Sequence, residues 1–159
     1  MATNSAIDGL DARLIRALAE TPRAGIMELA RQLRVARGTV QARLDRLTRR
    51  GVITGFGPDL DLRAVGYDVV AFTTLEIAQG RLYDVVEHLR EIPEVLEAHA
   101  TSGPRDLLCR VAARDTEQLQ EIINRLLSTS AVRRSTSYIV LSTQIAHRTG
   151  PLVQAAARS

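Results

Sequence analysis

Residues 25–53, GIMELARQLRVARGTVQARLDRLTRRGVI, constrain this chain more than any other stretch. Apolar residues recur there at helical spacing in two blocks: Leu29, Ala30 and Leu33, with Met27 near them, and then Val40, Leu44 and Leu47. Only Arg34 and Val35 separate the blocks, which leaves room for a tight turn. The spacing predicts helices over 26–33 and 37–50, the second stopped by Gly51 and followed by apolar Val52 and Ile53. Two short helices across a tight turn, the second of them basic, form a helix-turn-helix, whose second helix enters the major groove of duplex DNA.

Charge supports that reading. Residues 31–50 hold seven Arg and one acid, Asp45, whereas residues 67–159 hold ten Arg against eleven acids. A face of one sign lacks the acids that pairing four residues apart would supply, so it stands as a footprint for phosphate. The predicted DNA-facing residues are Arg37, Gly38, Thr39, Gln41, Ala42, Arg43, Arg46 and Arg50. Arg37, Thr39, Gln41, Ala42, Arg43 and Arg46 can reach base edges or phosphates, and Gly38 weakens the start of their helix. Ahead of this motif, Asp11 is expected to cap a helix to about residue 19 that buries Leu14, Ile15 and Leu18, with Thr21-Pro22 ending it. After it, residues 52–53 and 59–61 are expected to pair as a small wing, turning over 55–58.

From Tyr67 the pattern changes. Residues 68–77 are rich in β-branched and aromatic side chains, as a strand would be. Helical stripes follow at Leu82, Val85, Val86 and Leu89 and again at Leu119, Ile122, Ile123 and Leu126, with strands expected at 95–101, 107–113 and 133–143. The order βαββαβ predicts a ferredoxin-like sandwich, an antiparallel sheet with two helices on one face. Its other face needs a cover, and a second copy of the same sheet is the economical one. The expected fold class is therefore α+β: a winged helix-turn-helix over 1–56, a linker at 57–67, the sandwich over 68–146 and a tail at 147–159.

Several function classes are disfavoured. No apolar run is long enough to span a membrane, and the first residues lack a basic region followed by an apolar core, so a cytoplasmic protein is expected. Cys109 lies in the apolar run LLCRV and reads as a buried, inert thiol. His88, His99 and His147 show no metal-ligand spacing, and no nucleophilic arrangement can be argued. No metal site and no cofactor are expected.

The ordered set Leu10-Asp11, Leu14-Ile15, Arg23, Glu28-Leu29-Ala30, Thr39-Val40, Arg43-Leu44, Arg46-Leu47, Gly51-Val52-Ile53, Gly55-Phe56 and Val65-Gly66 resembles the Lrp/AsnC family of transcriptional regulators. In the second half, Thr101-Ser102-Gly103-Pro104-Arg105-Asp106-Leu107-Leu108 and Ser137-Tyr138-Ile139-Val140-Leu141 resemble that family's effector-binding domain. Together the two resemblances cover about residues 7–145. They imply an amino-acid-responsive, nucleoid-associated DNA-binding protein. They further imply a homodimer on a roughly palindromic operator, assembled as four dimers in an octamer with an amino acid or related metabolite near the junction between dimers. The implied effector residues are Thr101, Ser102, Gly103, Pro104, Arg105, Asp106 and Ser137.

Two departures stand out. The recognition helix usually opens on Ser or Thr, and Ala36 occupies that place here; Arg105 replaces an aromatic residue. Two readings of the Gly-x-x-Asp turn stay open. In one, Asp106 pairs an effector's ammonium while backbone N–H groups hold its carboxylate. In the other, Gly103 makes a hairpin turn and Asp106 caps its backbone. Two rivals to the regulator also remain: an architectural DNA-compacting protein without effector, and an enzyme like the haem-precursor decarboxylases that share the two-domain outline.

Overall fold

The computed structural model describes residues 7–158. The expectation that the first residues form no leader falls mostly on positions 1–6, outside the described residues. The chain divides into two units, one of the residues up to Pro58 with those from Ile145 onward, the other spanning Asp59–Gln144.

The first unit is helical: α1 (Gly9–Glu20), α2 (Ile26–Leu33), α3 (Arg37–Arg49) and α6 (Gly150–Ala156). Leu14, Leu29, Leu33, Val40 and Leu47 interlock in its core, with Leu10, Leu44 and Ile53 packed at the edge. The cap of α1 is Asp8, not Asp11. Asp8 accepts from the Leu10 and Asp11 backbone N–H groups while Asp11, three residues into the helix, accepts from the Asp8 N–H. This reciprocal capping box satisfies donors that a helix start leaves open. Thr21, ahead of Pro22, ends the helix by returning its own N–H to Ala17 O at 2.9 Å.

Two expectations are corrected here. No strand occurs among the described residues between α3 and Val69, so the wing does not form. Gly51 takes φ +67 and residues 52–53 bend back, their N–H groups reaching Leu47 O at 2.9 and 3.2 Å, which closes the end of α3 in place of starting a ladder. The tail is also not a separate segment. Residues 150–156 form α6, with Pro151 second in the helix, where a missing N–H costs nothing, and α6 lies against α1.

The second unit is the predicted sandwich. β1 (Val69–Ile77), β2 (Val95–Ala100), β3 (Leu107–Ala113) and β4 (Val132–Ile139) form one antiparallel sheet in the order β2-β3-β1-β4, and α4 (Leu82–Arg90) and α5 (Thr116–Leu126) cover one face. Ala71, Leu75 and Ile77 alternate inward along β1 and meet Val85 and Leu89 of α4, Cys109 and Val111 of β3, and Ile122 and Leu126 of α5. Phe72 and Tyr138, register partners on the opposite face, stay 40% and 62% exposed. β4 stops at Ile139, earlier than expected, although the Val140 N–H still reaches Val70 O at 2.8 Å. Among the described residues no helix is long and apolar enough to cross a membrane.

Candidate functional site

The helix-turn-helix is closed by one unusual residue. Arg34 ends α2 at φ 55, ψ 48, left-handed backbone that a non-glycine residue rarely takes. Holding it there lets the Val35 N–H reach Ala30 O at 3.1 Å and turns the chain into α3. α3 opens on Ala36, which is extended and offers no side-chain cap.

Along α3, Arg37, Gly38, Gln41 and Ala42 lie on an exposed face, as expected of side chains that reach into a groove. Asp45 and Arg49 share it, and the Gln41 amide donates to Asp45 Oδ1 at 2.9 Å. Arg49 was missed by the sequence reading, although its distance of eight residues from Gln41 places it on this face. Arg50 is exposed at the end of the helix and Thr39 is half-buried.

Arg43 and Arg46 are placed otherwise. Both turn toward the start of α1. Arg43 pairs with the Asp8 carboxylate and donates to Asp11 Oδ1 at 2.9 Å. Arg46 Nη2 donates to both Asp11 oxygens, at 2.9 and 2.7 Å. Asp11 is fully buried, so its charge must be compensated, and these two guanidinium groups do so. Their hydrogen bonds brace α3 against α1, so the two groups expected on the DNA side also hold the helix in place. The Arg43 guanidinium also holds the Asp8 carboxyl below its ordinary value.

In the second unit, an open cleft of about 370 Å³ lies beside the turn between β2 and β3. Thr101, Ser102, Gly103, Pro104 and Arg105 line it, with Thr74, Thr136 and Tyr138 from the sheet. The turn is set by its own residues. Gly103 adopts φ +144, a conformation that favours glycine, and Thr101 Oγ1 donates to Arg105 O at 2.7 Å. Arg105 leans along the sheet and donates to Glu76 Oε2 at 3.0 Å.

Two expected effector residues stand apart from that lining. Asp106 Oδ2 accepts from the Ile77 N–H at 2.7 Å while the Asp106 N–H donates to Leu75 O at 2.9 Å. The carboxylate thus extends the β1–β3 ladder by one acceptor on β1, where the capping reading had it on the turn's own backbone, and it does not line the cleft. Ser137 faces the helix side, where its Oγ lies 2.9 Å from that of buried Thr73. Strand alternation is the reason: the residues of β4 beside the cleft are Thr136 and Tyr138, one on either side of Ser137 in sequence.

Elsewhere, burial pushes the Cys109 thiol up to about 11, which keeps it protonated and inert. His99 and Arg110 hold the Glu97 carboxyl below its ordinary value on the open face of the sheet.

The two units match two family models in the same order. Residues 7–54 match a winged helix-turn-helix DNA-binding domain, and residues 70–149 match the Lrp/AsnC ligand binding domain. The chain belongs to the Lrp/AsnC family of transcriptional regulators. It is 31% identical to the regulatory protein AsnC of Escherichia coli over 144 residues, 89% of this chain and 95% of that one. It is 32% identical over 117 residues to the HTH-type transcriptional regulator Ptr1 of Methanocaldococcus jannaschii, covering 74% and 79% of the two chains. The solved structure of E. coli AsnC superposes with a TM-score of 0.85 at 28% identity, over 91% of this chain and 99% of that one. A transcriptional regulator of Neisseria meningitidis solved as a complex with L-Met superposes at 0.82 with 25% identity, over 91% and 95%. Membership of the family places a DNA-binding helix-turn-helix and a ligand-binding domain in one Lrp/AsnC regulator.

Proposed function

We propose that this regulator binds a specific, roughly palindromic operator and that an amino acid or related small metabolite, seated beside the 101–106 turn, changes its assembly or its grip on DNA. The observation that carries the reading is the pairing, in one chain, of an exposed α3 face bearing Arg37, Gln41 and Arg49 with a cleft of about 370 Å³ in the ligand-binding domain. The neighbour from Neisseria meningitidis, solved with L-Met, supports an amino acid as the class of effector. The reading is of a regulator and not an enzyme.

In this reading two copies pair through the open face of the sheet, where Phe72 stands exposed, and four such dimers form an octamer. A two-fold dimer presents two α3 helices to half-sites about 34–36 Å apart, or a multiple of that. An effector shifts the assembly only by binding one state better, and coupling of about 1–3 kcal/mol is the usual scale.

The test is fluorescence anisotropy of the full chain on duplex from its own upstream region, with scrambled competitor, with and without a mixture of amino acids. Competitor-resistant binding that shifts with the mixture is the expected result. Specific binding that ignores every amino acid would leave an architectural DNA-binding protein.

A further inference from the structure

Arg37, Gln41, Asp45 and Arg49 recur at every fourth residue of α3, and all four are exposed. Side chains at that spacing form one ridge along a helix. Its two cationic ends lie about 18 Å apart along the axis, at about 1.5 Å per residue. A major groove about 12 Å wide cannot hold the whole ridge over the bases. With Arg37 and Arg49 at its walls, beside phosphate, Gln41 and Asp45 come over the base edges. Beside the ridge, Gly38 and Ala42 carry little or no side chain, and a Cβ on Gly38 would meet nothing within 4 Å. The helix can therefore come close enough for a glutamine to touch a base.

The Gln41 amide has a fixed orientation. Its Nε2 donates to Asp45 Oδ1 at 2.9 Å. An ionised carboxylate only accepts, so it determines which end of the amide faces it. One amide N–H is used in this way, and the other stands beside Oε1 on the outer edge of the amide. That edge, one donor beside one acceptor, is the complement of adenine in the major groove, where N7 accepts and N6 donates. Guanine offers two acceptors there, cytosine one donor, and thymine an acceptor and a methyl group, so none of them pairs with both groups. Asp45 repels the phosphates of every duplex alike, so its contribution is to discrimination and not to affinity. We propose that Gln41 reads one adenine in each half-site and that Asp45 is the residue that positions it. This rests on the reading that α3 enters the groove of a specific operator.

Selection from a duplex library with a randomised centre, by the full chain and by its Gln41→Ala and Asp45→Ala variants, tests it. The parent protein is expected to enrich one A·T pair in each half-site. Gln41→Ala should lose the preference at that position alone. Asp45→Ala should reduce it there, with an unchanged melt and with binding to scrambled duplex at least as tight as the parent's. In the selected site, 7-deazaadenine in place of that adenine should weaken the parent about tenfold and leave Gln41→Ala unmoved. The analogue alters only the DNA, so this arm does not depend on how a variant folds. If Gln41→Ala enriches the same bases as the parent, or the position it loses is a G·C pair, the assignment is overturned and specific binding stands. A preference unchanged in Asp45→Ala removes Asp45 from the assignment. A parent protein that enriches no sequence overturns the specific-operator reading along with it.

Discussion

Arg46 Nη2 donates to Asp11 Oδ2 at 2.7 Å, and Asp11, on the first turn of α1, is fully buried. The recognition helix is therefore anchored to α1 by a charge that cannot reach water. Asp11→Asn keeps the size and loses the charge, which should lower stability by about 2 kcal/mol, the scale of a hydrogen bond to a charged group. Denaturant unfolding checks it through a shift in midpoint at constant slope.

The same contact separates two kinds of Arg on one helix. Arg37 is exposed, so Arg37→Ala should change stability by less than about 0.5 kcal/mol yet reduce the salt slope of DNA binding by about one. Arg46→Ala should do the reverse, lowering stability while leaving that slope in place. Anisotropy against salt, paired with a melt of each variant, reads both quantities. A slope that falls equally in the two variants would restore Arg46 to the DNA-facing set.

Acid should act through Asp8. Its carboxyl lies below the ordinary 3.8 because Arg43 hydrogen-bonds to it, so the folded state favours the ionised form. The resulting stabilisation is present in full above the ordinary carboxylate value and fades as pH falls through the lower, folded one. Asp8→Asn retains an N-cap acceptor and removes only the charge. The variant should be less stable than the parent at pH 7, and the gap should close as pH falls through the lowered carboxyl value of Asp8. A gap that persists in acid would locate the effect in the cap geometry.

How far the sequence revealed all this depends on what each signal encodes. Periodicity found the helices and strands because burial sets it: Leu14, Val40 and Leu47 are inward in the helical unit, and Leu75 and Val111 in the sheet. It could not show where a long side chain turns. Arg43 and Arg46 read as part of a basic stripe, and only the position of α1 reveals that they converge on Asp11. The wing failed because Val52 and Ile53 look like a strand start, while backbone closure of α3 takes their N–H groups. In the cleft, the turn residues 101–105 were legible from Gly103 and Pro104. Ser137 was off by one strand position, since alternation puts Thr136 and Tyr138 on the cleft's side. The pair of Arg105 with Glu76 was not legible, as nothing local links two residues 29 apart.

The start of α3 is under-stabilised, and this can be repaired. Ala36 offers no cap, and Ala36→Ser should add about 1 kcal/mol by satisfying a first-turn N–H. Gly38 sits in the first turn, and a Cβ there would meet nothing within 4 Å. Gly38→Ala should therefore stabilise by about 1 kcal/mol as well. Thermal melts of the two single variants are expected to rise by several degrees each. A DNA affinity that falls in Gly38→Ala despite the higher melting temperature would mark the point where the helix backbone meets the duplex.

Asp106 supplies the sharpest contrast between a framework role and a ligand role. Its Oδ2 accepts from the Ile77 N–H at 2.7 Å, next to the register shift between Glu76 and Ile77 in the β1–β4 pairing. Asp106→Ala leaves that N–H without its acceptor and should cost about 1–2 kcal/mol. Asp106→Asn keeps an acceptor oxygen in place and should recover more than half of the loss. If the carboxylate's work is confined to the ladder, Asp106→Asn should also bind amino acid within twofold of the parent protein. An ammonium held by Asp106 would instead lose its counter-charge in this variant. Calorimetry on stable Asp106→Asn protein then decides the point, since a tenfold weaker affinity with an unchanged melt would return Asp106 to the effector site.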